Sequence, residues 1–214
     1  MAHIQNSDGR GILLEMVAAI QKNKQYLSDV DGLVGDGDHG MNMNKGFTMY
    51  AEQLGPKGTN FSDGLFDLGG VLLNKIGGSM GPIYGTIFME MADKAEGAEK
   101  IDLNLFCDML EAGLEGLYGI VDARPGDKTL VDALYPALMA LKDARDAGAD
   151  LPKALDGMKA AAEKGRDSTK ELVAKYGRSA RLGERSRGVL DAGAASCCII
   201  LCAMADGMKA VMQE

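Results

Sequence analysis

The stretch Ser62-Asp-Gly-Leu65-Phe-Asp-Leu68-Gly-Gly-Val-Leu72-Leu-Asn-Lys-Ile76 has the pattern that decides the fold class. Its apolar residues Leu65, Leu68, Leu72 and Ile76 recur every three or four positions, so they fall on one face of an α-helix. Ser62 is of a residue type favoured at a helix N-cap. We therefore predict an amphipathic helix that begins near Ser62 and buries this face.

The same helical spacing recurs along nearly the whole chain, and the sequence has no convincing strand pattern. Alanine, leucine and the 14 methionines far outnumber the β-branched residues, which also favours helix. The sequence predicts an all-α protein in which residues 1–214 form a single domain of eight helices, with Asp102, Asp150 and Asp191 as N-caps. The predicted helices cover approximately residues 9–27, 41–54, 62–76, 82–95, 102–120, 129–147, 150–174 and 191 to near the end of the chain.

The connections between these helices fall into two classes. Three of them are ordinary polar turns, at residues 55–60, 96–100 and 147–150. The other four hold nearly all the unusual residues, and they are residues 35–40, 77–81, 124–129 and 177–193. If consecutive helices alternate in direction, as short links favour, these four connections lie at the same end. The sequence therefore predicts one functional site at one end of an antiparallel up-and-down bundle.

The first of the four connections places three aspartates close together in the sequence. Asp31 precedes Asp36 by five residues, Asp38 follows two residues later, and glycines between them allow the chain to fold back. Hard divalent cations such as Mg²⁺ bind carboxylate oxygens in such arrangements. A helix-capping turn is the structural alternative, but three crowded acids repel one another without a counter-charge. We interpret the three aspartates as metal ligands.

Two other readings of the same segment fail. The spacing Gly35-x-Gly37-x-x-Gly40 matches a dinucleotide-binding fingerprint, but no strand precedes it and its aspartates repel a bare pyrophosphate. A calcium-binding EF-hand loop that starts at Asp36 requires a glutamate where this chain has Phe47. Neither reading is retained.

The other three connections have the composition of anion-binding loops. Residues 77–81 contain three glycines just before a helix, and residues 124–129 lead into another helix, so both can aim main-chain N–H groups at a ligand. Residues 178–187 contain four arginines, a local reversal of sign in a chain of net charge −8. Helix caps or a solvated loop explain each segment taken alone. Together with the aspartates they predict a site for magnesium and a nucleotide or phosphate.

The overall charge, the apolar run near the end of the chain and the cysteines limit the possible function classes and cellular compartments. A net charge of −8 argues against a protein that coats nucleic acid or an anionic membrane. The uncharged run Ala192–Ala205 is shorter than the roughly 20 residues of a membrane span, so it is expected to be a buried helix. The four cysteines are expected to be buried thiols in a reducing compartment, and no secretory signal is visible. These features favour the cytoplasm.

Four motifs, spread over nearly the whole chain, have the same order and spacing as the motifs of a known protein family. They are Gly35-Asp-Gly-Asp-His-Gly40 with residues 41–47, Gly81-Pro-Ile-Tyr-Gly85-Thr86, Pro125-Gly-Asp-Lys-Thr129 and Gly177-Arg-Ser-Ala-Arg-Leu-Gly-Glu-Arg185-Ser186. In these motifs the chain resembles the L subunits of dihydroxyacetone kinases. The resemblance implies a barrel of eight antiparallel helices with ADP or ATP and two Mg²⁺ ions at one end.

The resemblance also implies roles for individual residues. Asp31, Asp36 and Asp38 would bind the two magnesium ions. The residues implied to contact the nucleotide are His39, Gly40, Asn42, Ser79, Met80, Thr129, Leu130, Arg178, Asp191 and Gly193. The family often has Gly-Gly-Ala-Ser-Gly where this chain has Gly77-Gly-Ser79-Met80-Gly81, so either Ser79 or Met80 provides the contact at that turn. No residue beyond the metal ligands is assigned a catalytic role.

The activity implied is phosphoryl transfer with the metal ions neutralising the charge on the transferring group. In the stand-alone members, a separate K subunit holds dihydroxyacetone, and bound ADP is rephosphorylated by the phosphohistidine-carrying M subunit of the phosphoenolpyruvate phosphotransferase system. Two alternatives remain open: an ATP-dependent kinase subunit for dihydroxyacetone or a related short ketose, and a non-catalytic module that senses magnesium nucleotide. A purely structural helical adaptor is disfavoured by the crowded acids.

Overall fold

The computed structural model describes residues 2–213. Over these residues the chain forms eight α-helices, and a two-stranded antiparallel ladder pairs β1 (Ile4–Gln5) with β2 (Lys100–Ile101). The helices are α1 (Gly9–Gly32), α2 (His39–Leu54), α3 (Phe61–Lys75), α4 (Met80–Lys94), α5 (Leu103–Ile120), α6 (Val131–Asp146), α7 (Leu151–Ser168) and α8 (Ala192–Val211). Short 3-10 helices cover Asn6–Asp8, Thr169–Glu171 and Ser179–Ser186.

The eight helices close into a ring. Each helix packs against the next one in sequence, and α8 packs against α1. All eight contribute side chains to one apolar core, including Leu65, Leu68 and Leu72 of α3. Burying a leucine side chain stabilises the fold by about 2 kcal/mol relative to leaving it in water. The prediction of an all-α, eight-helix barrel is confirmed.

The start of α3 differs from the prediction. The N-cap is Asn60, and Ser62 lies inside the first turn, where it is buried. Its hydroxyl accepts a hydrogen bond from Asn6 Nδ2 at 2.9 Å, and its main-chain N–H donates to Asn6 Oδ1 at 3.0 Å. The prediction that Ser62 caps the helix is therefore wrong, because this serine ties α3 to the N-terminal segment instead.

The three aspartate caps are present as predicted. The carboxylates of Asp102, Asp150 and Asp191 each accept the main-chain N–H of the third helical residue that follows, at 2.9, 3.1 and 2.7 Å. Such a cap satisfies an otherwise unpaired N–H and is worth about 1 kcal/mol. These aspartates fix where α5, α7 and α8 begin.

Some helix ends and the short ladder differ from the predictions. Helix α7 ends at Ser168, six residues before the predicted end, because Thr169 starts a 3-10 turn. The buried Thr169 hydroxyl donates to Arg166 O at 2.6 Å and accepts from the main-chain N–H of Asp191 at 3.0 Å. Helix α1 continues to Gly32, beyond the predicted end at residue 27. The two-residue strands are too short to produce a period in the sequence.

Helix α8 closes the ring and is largely buried. By length and composition alone it is apolar enough to cross a membrane, and 61% of that apolar window is buried inside the protein. It packs against α1, α6 and α7. This packing agrees with the prediction that the apolar run Ala192–Ala205 is a buried helix.

Candidate functional site

One cavity of about 550 Å³ opens at one end of the ring. It is lined by residues from all four of the unusual connections, namely those before α2, α4, α6 and α8. The predicted convergence of these connections is therefore present in the structure. The four even-numbered helices begin at this cavity, so the positive ends of their dipoles point toward it.

The three aspartates form an acidic cluster, defined here as Asp31, Asp36 and Asp38. One carboxylate oxygen from each lies within 4.8 Å of the others. Asp31 comes from the last turn of α1, whereas the other two lie on the connection to α2. Gly35 allows this arrangement, because a Cβ there would collide with the Asp31 carboxylate. The donors are all oxygens, as Mg²⁺ requires, so the cluster fits a magnesium site.

An arginine joins the acidic cluster to the opposite side of the cavity. Arg178 forms an ion pair with Asp36, and its second guanidinium nitrogen lies 3.8 Å from Asp38. These side chains are about half exposed, so the ion pairs contribute little to stability. These ion pairs matter for the geometry of the site. They bring residues 177–193, which we call the arginine segment, to the acidic cluster.

His39 lies where α2 begins and is buried. Its main-chain N–H points to Asp31 Oδ2 at 3.4 Å, and its Nε2 lies 2.8 Å from Ser196 Oγ on α8. Burial lowers the pKa of His39 to about 4, although the nearby Asp31 carboxylate raises it. The imidazole is therefore neutral at pH 7 and cannot contribute a positive charge to phosphate binding.

The turn before α6 anchors the arginine segment. Asp127 accepts a hydrogen bond from Lys175 Nζ at 2.5 Å, and its main-chain carbonyl accepts the Lys175 N–H at 3.2 Å. Lys128 is buried, has a positive φ of 61°, and donates through Nζ to the carbonyls of Thr169 and Val189. Lys128 therefore holds the arginine segment directly at Val189, and Asp127 holds the chain two residues before the segment begins.

Asp191 ends this segment and caps α8. Its pKa is raised to about 6, because burial disfavours the charged carboxylate more than the capping N–H of Ala194 and the positive charge of Lys128 favour it. Gly193 follows at a close approach, where an added Cβ would lie 3.0 Å from Asp191 Oδ2 and 3.4 Å from the nitrogen of Leu130. The starts of α6 and α8 therefore meet at this wall.

Comparison with known proteins identifies the family. A model of the DAK2 domain matches residues 33–206. The chain belongs to the DAK2 domain family. This DAK2 chain is 35% identical over 201 residues to the PEP-dependent dihydroxyacetone kinase 2, ADP-binding subunit DhaL, of Listeria innocua, covering 92% of this chain and 93% of that protein.

Two further relatives extend the comparison. The DAK2 chain is 35% identical over 175 residues to the PEP-dependent dihydroxyacetone kinase, ADP-binding subunit DhaL, of Escherichia coli, covering 80% of this chain and 82% of that protein. The crystal structure of the dihydroxyacetone kinase from C. freundii in complex with AMP-PNP and Mg²⁺ matches with a TM-score of 0.69 and 25% identity. That match covers 92% of this chain and 33% of that one, so this DAK2 chain spans a third of the solved chain.

Nearly all the predicted site residues of this DAK2 chain lie at the cavity. Gly40 is the exception, since it packs α2 onto α1, where a Cβ would collide with the carbonyl of Lys24 and the main chain of Ser28. The predicted residues that line the cavity are Asp31, Asp36, Asp38, His39, Asn42, Ser79, Met80, Thr129, Leu130, Arg178, Asp191 and Gly193.

The cavity also has polar residues that were not predicted, and three residues at or beside it make buried hydrogen bonds. Lys128 and Tyr84 line the cavity, and Ser196 is buried beside it. Lys128 and Tyr84 stand inside quoted motifs, so their positions alone could have marked them. Ser196 is the single hydroxyl residue in the apolar run of α8, and that isolation is its only signal.

Proposed function

We propose that this DAK2 chain is the ADP- and magnesium-binding subunit of a dihydroxyacetone kinase. The observation that carries the proposal is the single cavity that holds the acidic cluster, Arg178 and the starts of four helices. Metal-binding carboxylates, a guanidinium and helix N-termini are the groups that bind a magnesium nucleotide. The ADP-binding names of the relatives support the same assignment.

The acidic cluster would hold the magnesium. The carboxylates of Asp36 and Asp38 are about half exposed, and Asp31 is held by the end of α1. The family resemblance implies two ions, and we propose two for this chain. When bound, the ions neutralise charge on the transferring phosphoryl group, and the nucleotide carries that group from donor to acceptor.

The chain's own residues would orient the nucleotide around this metal site. The start of α4 has no capping side chain, so main-chain N–H groups of its first turn are available to phosphate oxygens. Arg178 supplies a guanidinium on the other side. Leu130 lies with Val34, Ile83 and Val121 in the apolar part of the lining, which suits an adenine ring.

Two partners complete the proposed reaction. A phosphohistidine on the M subunit of the phosphotransferase system would donate the phosphoryl group to ADP, and the resulting ATP would pass it to a hydroxyl of dihydroxyacetone on the K subunit. The products are dihydroxyacetone phosphate and ADP, so the nucleotide is regenerated. The PEP-dependent and PTS-dependent names of relatives support this arrangement, which we place in the cytoplasm. We infer a single domain for the chain and no role in binding nucleic acid or membranes.

Native mass spectrometry with metal analysis of the freshly purified chain tests the binding proposal. A mass excess equal to ADP plus two magnesium ions is the expected result, and it favours the carrier-fed arrangement. An empty chain that binds Mg²⁺–ATP reversibly points to the ATP-dependent alternative. A chain that binds neither contradicts the proposal.

Reconstitution separates the enzyme from a nucleotide sensor. The chain is mixed with K and M subunits, phosphoenolpyruvate and the general phosphotransferase proteins, and dihydroxyacetone phosphate is measured. Product formation that requires this chain is expected. Tight binding of Mg²⁺–ADP without any phosphorylated sugar, in a mixture that is active with a known L subunit, would assign the chain to the sensing alternative.

A further inference from the structure

Buried hydrogen bonds join the starts of α2, α4 and α8 beside the acidic cluster. Ser196 Oγ lies 2.8 Å from His39 Nε2 and 2.6 Å from Tyr84 OH. Ser196 also lies 3.1 Å from Gly193 O, and the Tyr84 hydroxyl lies 3.2 Å from the same carbonyl. The three side chains are 7% exposed or less, so the atoms that join them are shielded from water and depend on one another for hydrogen bonds.

Only one set of donors makes all three contacts of Ser196 Oγ hydrogen bonds. The carbonyl of Gly193 can only accept, so Ser196 donates its single proton there. Because the serine proton is then used, the Tyr84 hydroxyl at 2.6 Å donates to one lone pair of Ser196 Oγ. The remaining lone pair of Ser196 Oγ then requires a donor, which is the N–H at Nε2 of His39. A neutral imidazole has one N–H, so Nδ1 carries a lone pair.

The other ring nitrogen, Nδ1, is not used by this network. Nδ1 of His39 makes no hydrogen bond within residues 2–213. The buried side-chain nitrogen and oxygen atoms without a partner in the same residues are Ser28 Oγ and Tyr50 OH, and Nδ1 is not among them. Because His39 lines the cavity, Nδ1 is open to whatever binds there.

We propose that Ser196 and Tyr84 are positioning residues that hold His39 with its proton on Nε2 and so present Nδ1 to the bound ligand as a hydrogen-bond acceptor. This inference rests on the proposed nucleotide site. Its consequence is specific, since an acceptor at this point pairs with an O–H or N–H group and not with a bare phosphate oxygen. His39 then recognises a donor on the nucleotide or a water molecule on the metal.

The tautomer of His39 can be measured directly, because the chain contains few histidines. The chain contains only His3 and His39, so a ¹⁵N-histidine spectrum of the whole protein has two rings, and a His3→Gln variant assigns them. We expect the His39 ring of the ligand-free protein to show a protonated Nε2 and an unprotonated Nδ1 at pH 7. A proton on Nδ1 would overturn the proposal, because it means that Ser196 donates to Nε2.

Two probes then identify the donor. Mg²⁺ alone is added first, and ADP second. A change of the Nδ1 shift on adding Mg²⁺ assigns the donor to metal-bound water, and a change only after ADP assigns it to the nucleotide. An Nδ1 shift that ignores both, while calorimetry shows that Mg²⁺–ADP binds, contradicts the acceptor role. If calorimetry shows no binding, the nucleotide-site proposal fails, and the ligand-free spectrum still decides the tautomer.

Variants with matched controls test the positioning role. Ser196→Ala should mix the two tautomers of His39 and weaken Mg²⁺–ADP binding about fivefold, as expected for the loss of one buried hydrogen bond. Tyr84→Phe should have a smaller effect, since the serine remains. The controls Ser28→Ala and Tyr50→Phe remove buried hydroxyls that have no partner, so they should change neither the spectrum nor the affinity. An unchanged His39 tautomer in folded Ser196→Ala would contradict the proposal.

Discussion

At the scale of single residues, Arg178 is distinguished from the other arginines of its segment by its contacts with the acidic cluster. We expect Arg178→Ala to weaken Mg²⁺–ADP binding about tenfold, because a charge-assisted contact with phosphate is lost. The fold should persist, since the side chain is 54% exposed. Calorimetry measures the affinity, with Arg181→Ala as control, because Arg181 is exposed and forms no ion pair within the described residues. Equal affinities of the two variants would sink this assignment.

Asp191 should make the stability of the protein depend on pH. Its pKa is raised from 3.8 to about 6 by burial, so the folded state holds the proton more tightly than the unfolded state. The resulting stabilisation is complete below pH 3.8 and is lost as the pH rises through 6, by about 3 kcal/mol. Asp191→Asn keeps the cap but does not titrate.

Urea unfolding at pH 4 to 7, without divalent metal, compares this variant with the parent chain. We expect the free energy of unfolding of the parent to fall relative to Asp191→Asn over this range. A difference that is constant from pH 4 to 7 would show that the Asp191 carboxyl is not desolvated in the folded protein.

Residues that come together in the structure could be predicted from the sequence where their side chains are chemically distinctive and close in the chain. The acidic cluster was predicted because three carboxylates within eight residues have few stable explanations without a cation. Ser196 and Lys128 were missed because their roles depend on partners more than 40 residues away in the sequence, on another helix or segment. No local pattern encodes such contacts.

At the scale of elements, the arginine segment is held by the turn before α6. Lys175 is 65% exposed, so Lys175→Met removes its bond to Asp127 without opening the core. We expect this variant to bind Mg²⁺–ADP about threefold more weakly, because Arg178 lies only three residues further along the chain. If the effect acts through Arg178, Lys175→Met should change nothing further in an Arg178→Ala background.

The double-mutant cycle has a matched control in the ion pair of Lys209 with Asp156. Its N···O distance is 2.6 Å, and it links α8 to α7 far along α8 from the end that begins at the cavity. Lys209→Met should leave the affinity unchanged. Additive losses from Lys175→Met and Arg178→Ala would mean that the turn before α6 does not position the arginine.

Helix starts were easier to predict than helix ends. Aspartates such as those at positions 102, 150 and 191 predict a helix start directly, because the carboxylate accepts a hydrogen bond from the N–H three residues later. The end of α7 is set instead by Thr169, whose hydroxyl bonds both Arg166 and the distant Asp191. The helical pattern of the sequence continues past this point, so only the tertiary contact reveals the break.

At the scale of the whole molecule, alternation of the helices accounts for the position of the site. Eight consecutive helices with short links place every second connection at the same end, and this is why separate motifs could be assigned to one cavity from the sequence. Closure of the ring was implied by the family resemblance and not by the spacing of residues. It depends on the contact of α8 with α1, and the paired termini at His3 and Gln213 lie beside the short ladder.

The acidic cluster couples the stability of the whole ring to its ligand. Replacing Asp36 and Asp38 with asparagine should leave the metal-free protein as stable as before or more so, because like charges are removed and the exposed pairs with Arg178 contribute little. Mg²⁺–ADP at a hundred times its dissociation constant should stabilise the parent chain by about 3 kcal/mol and the variant not at all. A control with Glu52→Gln and Glu96→Gln removes two exposed charges elsewhere and should keep the full stabilisation. Thermal unfolding with and without the ligand measures each case. If the ligand still stabilises the Asp36 and Asp38 variant, the metal binds elsewhere. If the ligand does not stabilise the parent chain either, the acidic cluster binds no magnesium nucleotide, and the ring would be a structural scaffold.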